Sequence, residues 1–147
     1  MTRQDKYPDT KTFHYYNANP HKRITGDCVL RATCTGLNIA YNDCMDELVA
    51  MSKKKGYSIC SKENVGKLLA EKGIVMQKQP RKSDNTKYTG KEFCMKIAEK
   101  NKRYIAHIGG NHMVAIVNKK IYDIWDSSDG CIGNYWEIDE QNQRYTE

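Results

Sequence analysis

The sequence predicts an α+β domain in which N-terminal helices pack on a C-terminal antiparallel β-sheet. Two patterns carry that expectation. Between residues 28 and 100, apolar residues recur at helical spacing and the segments open and close with capping residues. From residue 103 onward the pattern changes to β-rich runs joined by short turns. A chain of 147 residues with 39% hydrophobic and 29% charged residues is globular and fits one domain. The expected organisation is an extended arm over residues 1–25 and a single domain over 26–147.

The arm is polar and rich in Asn, His, Tyr and Pro, with Phe13-His14-Tyr15-Tyr16 a candidate edge strand. Gly26-Asp27 opens a first helix over about Cys28 to Gly36, with Val29, Ala32 and Thr33 at helical spacing and Gly36 as its stop. A second helix runs from about Asn42 to Lys54 with Met45, Leu48 and Val49 inward, and Gly56 ends it. Ser61 caps a third, Lys62 to Lys72, with Val65, Leu68 and Leu69 inward and Gly73 beyond its end. Ile74 to Gln77 reads as a short strand and Pro80 to Tyr88 as a polar loop. Thr89-Gly90-Lys91-Glu92 is a capping box for a helix reaching about Lys100. Arg103 to Ile108, His112 to Val117, Lys120 to Asp126 and Asn134 to Ile138 are the expected strands, followed by a polar tail. Gly109-Gly110-Asn111 and Asn118-Lys119 have hairpin chemistry.

Composition narrows the function classes. The net charge of +6 favours acidic partners, but the basic residues are scattered, with no aromatic interleaving and no basic stripe. Nucleic-acid binding is therefore not expected. No apolar stretch approaches a membrane span. The first residues, Met-Thr-Arg-Gln-Asp-Lys-Tyr, are polar rather than secretory in pattern. The six cysteines contain no C-x-x-C pair, so neither a zinc site nor a cofactor is expected. Five of them read as reduced, buried thiols in a cytoplasmic protein.

The sixth, Cys28, stands at the first turn of a helix. Unpaired backbone N–H groups there favour an anion, lower a thiol pKa, and can hold the oxyanion of a tetrahedral intermediate. Locally, a buried thiol beside an Asp27 N-cap fits equally well. His112 begins an apolar strand after a Gly-Gly turn, rigidly aimed yet accessible. His107 is its rival, among apolar neighbours with no obvious partner, and His14 and His21 lie in the arm. The next strand offers Asp123 and Asp126 as partners that would fix the imidazole. Alternation sets them on opposite sides. Asp126, at the strand's far end, is the favoured one.

The order of Cys at a helix start, His at a strand start and an acid one strand later resembles the papain-like cysteine peptidase superfamily. His112-Met113-Val114-Ala115-Ile116-Val117 followed by Ile121-Tyr122-Asp123-Ile124-Trp125-Asp126-Ser127 is similar to that superfamily's histidine hairpin. It also resembles the compact bacterial branch that processes double-glycine leader peptides, where the third residue is an Asp. Gly26-Asp27-Cys28-Val29-Leu30-Arg31-Ala32 with Trp125-Asp126-Ser127 looks like small proteins of bacteriophages and their hosts. The resemblance spans about Asn17 to Ser128 and implies a papain-like fold. It makes Cys28 the nucleophile, His112 the base and then acid, and Asp126 the orienting group. The superfamily usually places a Gln upstream of the Cys. Here Asn17-Ala18-Asn19-Pro20-His21-Lys22-Arg23 contains none, and Asn19 is the preferred oxyanion donor, with Asn17, Lys22 and Arg23 as alternatives.

The function so implied is hydrolysis of an amide bond in a peptide or protein substrate, in the cytoplasm, or the host cytoplasm if the gene is a phage's. The alternatives are a Cys-dependent deamidase or acyltransferase, and a non-catalytic binding or inhibitor protein of phage type. Arg31, one turn into the helix, reads as a surface residue or as a group that fixes an acidic neighbour. The sequence carries no signal for oligomeric state.

Overall fold

A computed structural model of the chain describes residues 1–139, with five helices and a six-stranded mixed sheet among them. In chain order these are α1 (Arg3–Lys6), β1 (Phe13–Tyr15), α2 (Cys28–Leu37), α3 (Tyr41–Lys55), α4 (Lys62–Glu71), β2 (Met76–Gln77), α5 (Gly90–Lys96), β3 (Lys102–Ile108), β4 (His112–Val117), β5 (Lys120–Asp123) and β6 (Ile132–Asp139). The polar tail expected after residue 138 lies, from residue 140 on, outside the described residues.

Strand order is β1-β5-β4-β3-β6-β2. The strands β3, β4 and β5 form the expected antiparallel meander, but β6 returns to pair antiparallel with β3 rather than extending it beyond β5. The sheet is nevertheless mixed, because β1 of the arm pairs parallel with β5, Phe13 opposite Ile121 and Tyr15 opposite Asp123. Phe13 is fully buried, so the arm supplies part of the core as well as an edge strand.

The two faces of the sheet bury two cores, as period-2 alternation requires. Ile105, Met113, Trp136 and Ile138 pack under α2, α3 and α4 with Leu30, Leu37, Leu48, Val65 and Leu69. Tyr104, Ala106, Val114, Ile116 and Ile121 pack on the other face with Phe93 of α5 and Phe13. Each fully buried aliphatic side chain of this kind contributes about 1.5–3 kcal/mol, so the central strands are held from both sides.

Two helix ends differ from expectation for physical reasons. Gly36 does not stop α2. The helix continues to Leu37 and ends on Asn38 in the left-handed conformation (φ 58°), with the Ile39 N–H closing on the Cys34 carbonyl at 3.0 Å. Gly36 serves close approach instead: a Cβ there would overlap Ile105 Cγ1. The helix α5 stops at Lys96, short of Lys100, because the Ile97 and Ala98 N–H groups both turn back to the Phe93 carbonyl. The Asn118-Lys119 hairpin forms as expected, with both residues at positive φ (51° and 62°), the signature of a type I′ turn.

The strand β5 ends at Asp123 rather than Asp126. The chain bends through Ile124 and Trp125, and that early ending determines which carboxylate meets His112.

Candidate active site

Cys28 is the first residue of α2 and is half-buried. Asp27 occupies the N-cap position but makes no side-chain cap bond. Its carboxylate turns inward, accepting from Arg31 Nε at 2.8 Å, Tyr41 Oη at 2.8 Å and Asn19 Nδ2 at 3.1 Å. Burial pushes this carboxyl up, but the three donors outweigh it and hold Asp27 below the usual carboxylate range.

His112 opens β4, and its Nε2 lies 2.5 Å from Asp123 Oδ2. The Cys28 thiol stands close enough to this imidazole for the ring to be the first cause of its lowered pKa. The imidazole outweighs burial, and the Met113 backbone and Arg31 add to the lowering. His112 moves the opposite way. Burial pushes it down, yet the bond to Asp123 and the neighbouring Cys28 thiol prevail and raise it to about 9. Lowered thiol and raised imidazole together favour a thiolate–imidazolium pair.

Among the other cysteines, burial raises Cys34 to about 11 and Cys94 to about 12, and pushes Cys44 up as well, whereas Cys60 and Cys131 are exposed rather than buried as expected. Cys28 is thus the thiol whose surroundings favour its charged form. No group of three or more His, Cys, Asp or Glu able to hold a metal occurs among the described residues.

Comparison with family models, curated proteins and solved structures returned no match. The geometry therefore stands by itself.

Asp123 is the carboxylate bonded to the His112 ring, which corrects the expectation of Asp126. Because β5 stops at Asp123, Asp126 sits beyond the bend, where its Oδ1 accepts the Ser128 N–H at 3.0 Å. Trp125 at the bend places its ring 5.0 Å from that of His112. Asn19 is buried, and its amide is engaged in the loop before α2: Nδ2 on Asp27 and Oδ1 accepting the His21 N–H at 2.9 Å. It steadies the residue preceding the nucleophile. Asn17 likewise braces this loop, accepting the Asn19 N–H and donating to the Arg23 carbonyl.

Arg31 is a buried residue, 6% exposed, not a surface one. It joins Asp27 to Asp123, the latter through Nη1 to Oδ1 at 2.5 Å. The i,i+4 spacing of Asp27 and Arg31 on one helix was the available signal for half of this bridge; the half across to β5 had none. His107 is set apart from the pair. Its ring stands edge-on to Trp136 at 5.4 Å and burial pushes its pKa down to about 4, leaving a neutral imidazole. Its Nε2 is buried without a partner among the described residues. His14 pairs with Asp9 within the arm and His21 is exposed.

Proposed function

We propose that the protein is a cysteine hydrolase of papain-like type that cleaves an amide bond. The observation that carries this reading is the sequence of contacts from the Cys28 thiol to the His112 ring to the Asp123 carboxylate. An activated thiol, a base and an orienting acid on a helix start and two neighbouring strands form the constellation expected of such enzymes. The superfamily resemblance in the two sequence motifs supports it. So does the packing of α2 against a mostly antiparallel sheet.

In this mechanism the Cys28 thiolate attacks the carbonyl carbon, a C–S bond forms, and the carbonyl π electrons move to oxygen. The Cys28 backbone N–H at the tip of α2 donates to that oxyanion. As the intermediate collapses, the C–N bond breaks and the His112 imidazolium gives its proton to the departing nitrogen. His112 then takes a proton from water, whose oxygen attacks the thioester. The C–O bond forms, the C–S bond breaks, and the acid leaves. Asp123 keeps the ring aimed and stabilises its positive charge, while Arg31 and Asp27 hold Asp123 in place.

The reading is tested by incubating the protein with a diverse peptide mixture and identifying new termini by mass spectrometry. Cleavage that disappears in Cys28→Ala, with the fold retained by circular dichroism, supports it. A Cys28→Ala variant with full biological activity would instead favour a binding or inhibitor protein, and acyl exchange without hydrolysis would favour an acyltransferase.

A further inference from the structure

A cavity of about 580 Å³ borders His112, and Cys28 does not line it. Ile108, Gly109, Gly110 and Trp125 line it together with Asp126, Ser127 and Asp129. Among the described residues no Lys or Arg lines it, in a chain of net charge +6. Ser127 is 6% exposed, and its hydroxyl has no hydrogen-bond partner among the described residues. Asp126 spends one carboxylate oxygen on the Ser128 N–H, which fixes the carboxylate and leaves the other oxygen available.

We infer that this cavity is the leaving-group subsite and that it selects a Lys or Arg side chain on the residue just after the scissile bond. The inference rests on the hydrolase reading given above. The acyl portion of the substrate stays on the Cys28 sulfur, whereas the departing amine receives its proton from His112, which forms part of the wall of this cavity. A side chain entering here meets both apolar wall and carboxylates. Lys and Arg match that pairing, with an aliphatic stem for Ile108 and Trp125 and a cationic head for Asp126 and Asp129. The indole of Trp125 adds attraction for the cation.

Two measurements separate this inference from the reading beneath it. The first is binding without turnover: arginine amide and alanine amide, mimics of the departing residue, are titrated into Cys28→Ala protein and followed by ¹⁵N–¹H spectra. Arginine amide should shift the Trp125 indole and the Gly109 and Gly110 amides at concentrations where alanine amide does not. The Asp126→Asn/Asp129→Asn variant, whose side-chain amide at position 126 keeps an acceptor for the Ser128 N–H, should lose that response. The second is cleavage of peptides differing only after the scissile bond. The Lys-to-Ala ratio of kcat/KM should fall roughly fivefold in the same double variant, as suits a partly exposed ion pair. Equal shifts by both amides, shifts that survive the double variant, or an unchanged ratio overturn the subsite. Absence of any Cys28-dependent cleavage, with selective arginine amide binding intact, overturns the hydrolase reading and leaves a cation-binding cavity.

Discussion

Arg31 bonds Asp123 at 2.5 Å and thereby ties the first turns of α2 to the last residue of β5. The nucleophile and its histidine's partner stand on separate elements, and this guanidinium is a link between them. Asp123 is 1% exposed and Asp27 6%, so both carboxylates rely on the bridge.

Arg31→Gln therefore leaves two buried carboxylates short of their cation. Unfolding free energy should drop by about 3–5 kcal/mol, read from urea denaturation at neutral pH. Lowering the pH to protonate the carboxylates should narrow the gap to the parent protein. A loss below about 1 kcal/mol would make Arg31 a surface-like ion pair.

The pH dependence follows from the two shifts. The active form needs Cys28 deprotonated and His112 protonated. Cys28 is lowered from its usual 9.0 and His112 raised from 6.5 to about 9. Activity should thus rise as pH climbs through the lowered Cys28 value and fall as His112 loses its proton near about 9. In Asp123→Asn the bond that raises His112 loses its charge while burial still pushes the ring down. The alkaline limb must then move to lower pH, and kcat should fall on the order of 10³–10⁴-fold. A pH profile of kcat/KM checks both.

Thiol reactivity gives a test free of any substrate. At about pH 6, iodoacetamide should modify Cys28 well ahead of the other five cysteines, because the His112 ring stabilises its thiolate. Exposed Cys60 and Cys131 are the sterically fair comparison. Peptide mapping after timed quenching reads the order, and His112→Ala should slow Cys28. Six equal rates would end the activated-thiolate account.

Gly36→Ala tests how α2 is seated. The added methyl would overlap Ile105 Cγ1, so either Ile105 changes rotamer or the helix lifts from the sheet. Destabilisation of about 1–3 kcal/mol is expected, despite the better helix propensity of Ala. Thermal unfolding measures it. Because α2 carries Cys28, turnover should fall together with stability.

Much of this protein was legible in one dimension. Cap residues and apolar spacing located the helices that begin at Cys28, Lys62 and Gly90. The Asn118-Lys119 turn located the β4–β5 hairpin, and with these came the placement of Cys28 at a helix start and His112 at a strand start. Such signals are local: a cap, a period or a turn acts within a few residues, so sequence order displays it. The choice of Asp123 over Asp126 was not local. It turned on where β5 stops, and that is determined by the bend through Trp125 and by a guanidinium arriving from α2. The burial of Arg31, the engagement of Asn19 with Asp27, and the parallel seating of β1 were likewise decided in three dimensions. Each depends on tertiary packing on the sheet and on the need of buried charges and polar groups to find one another.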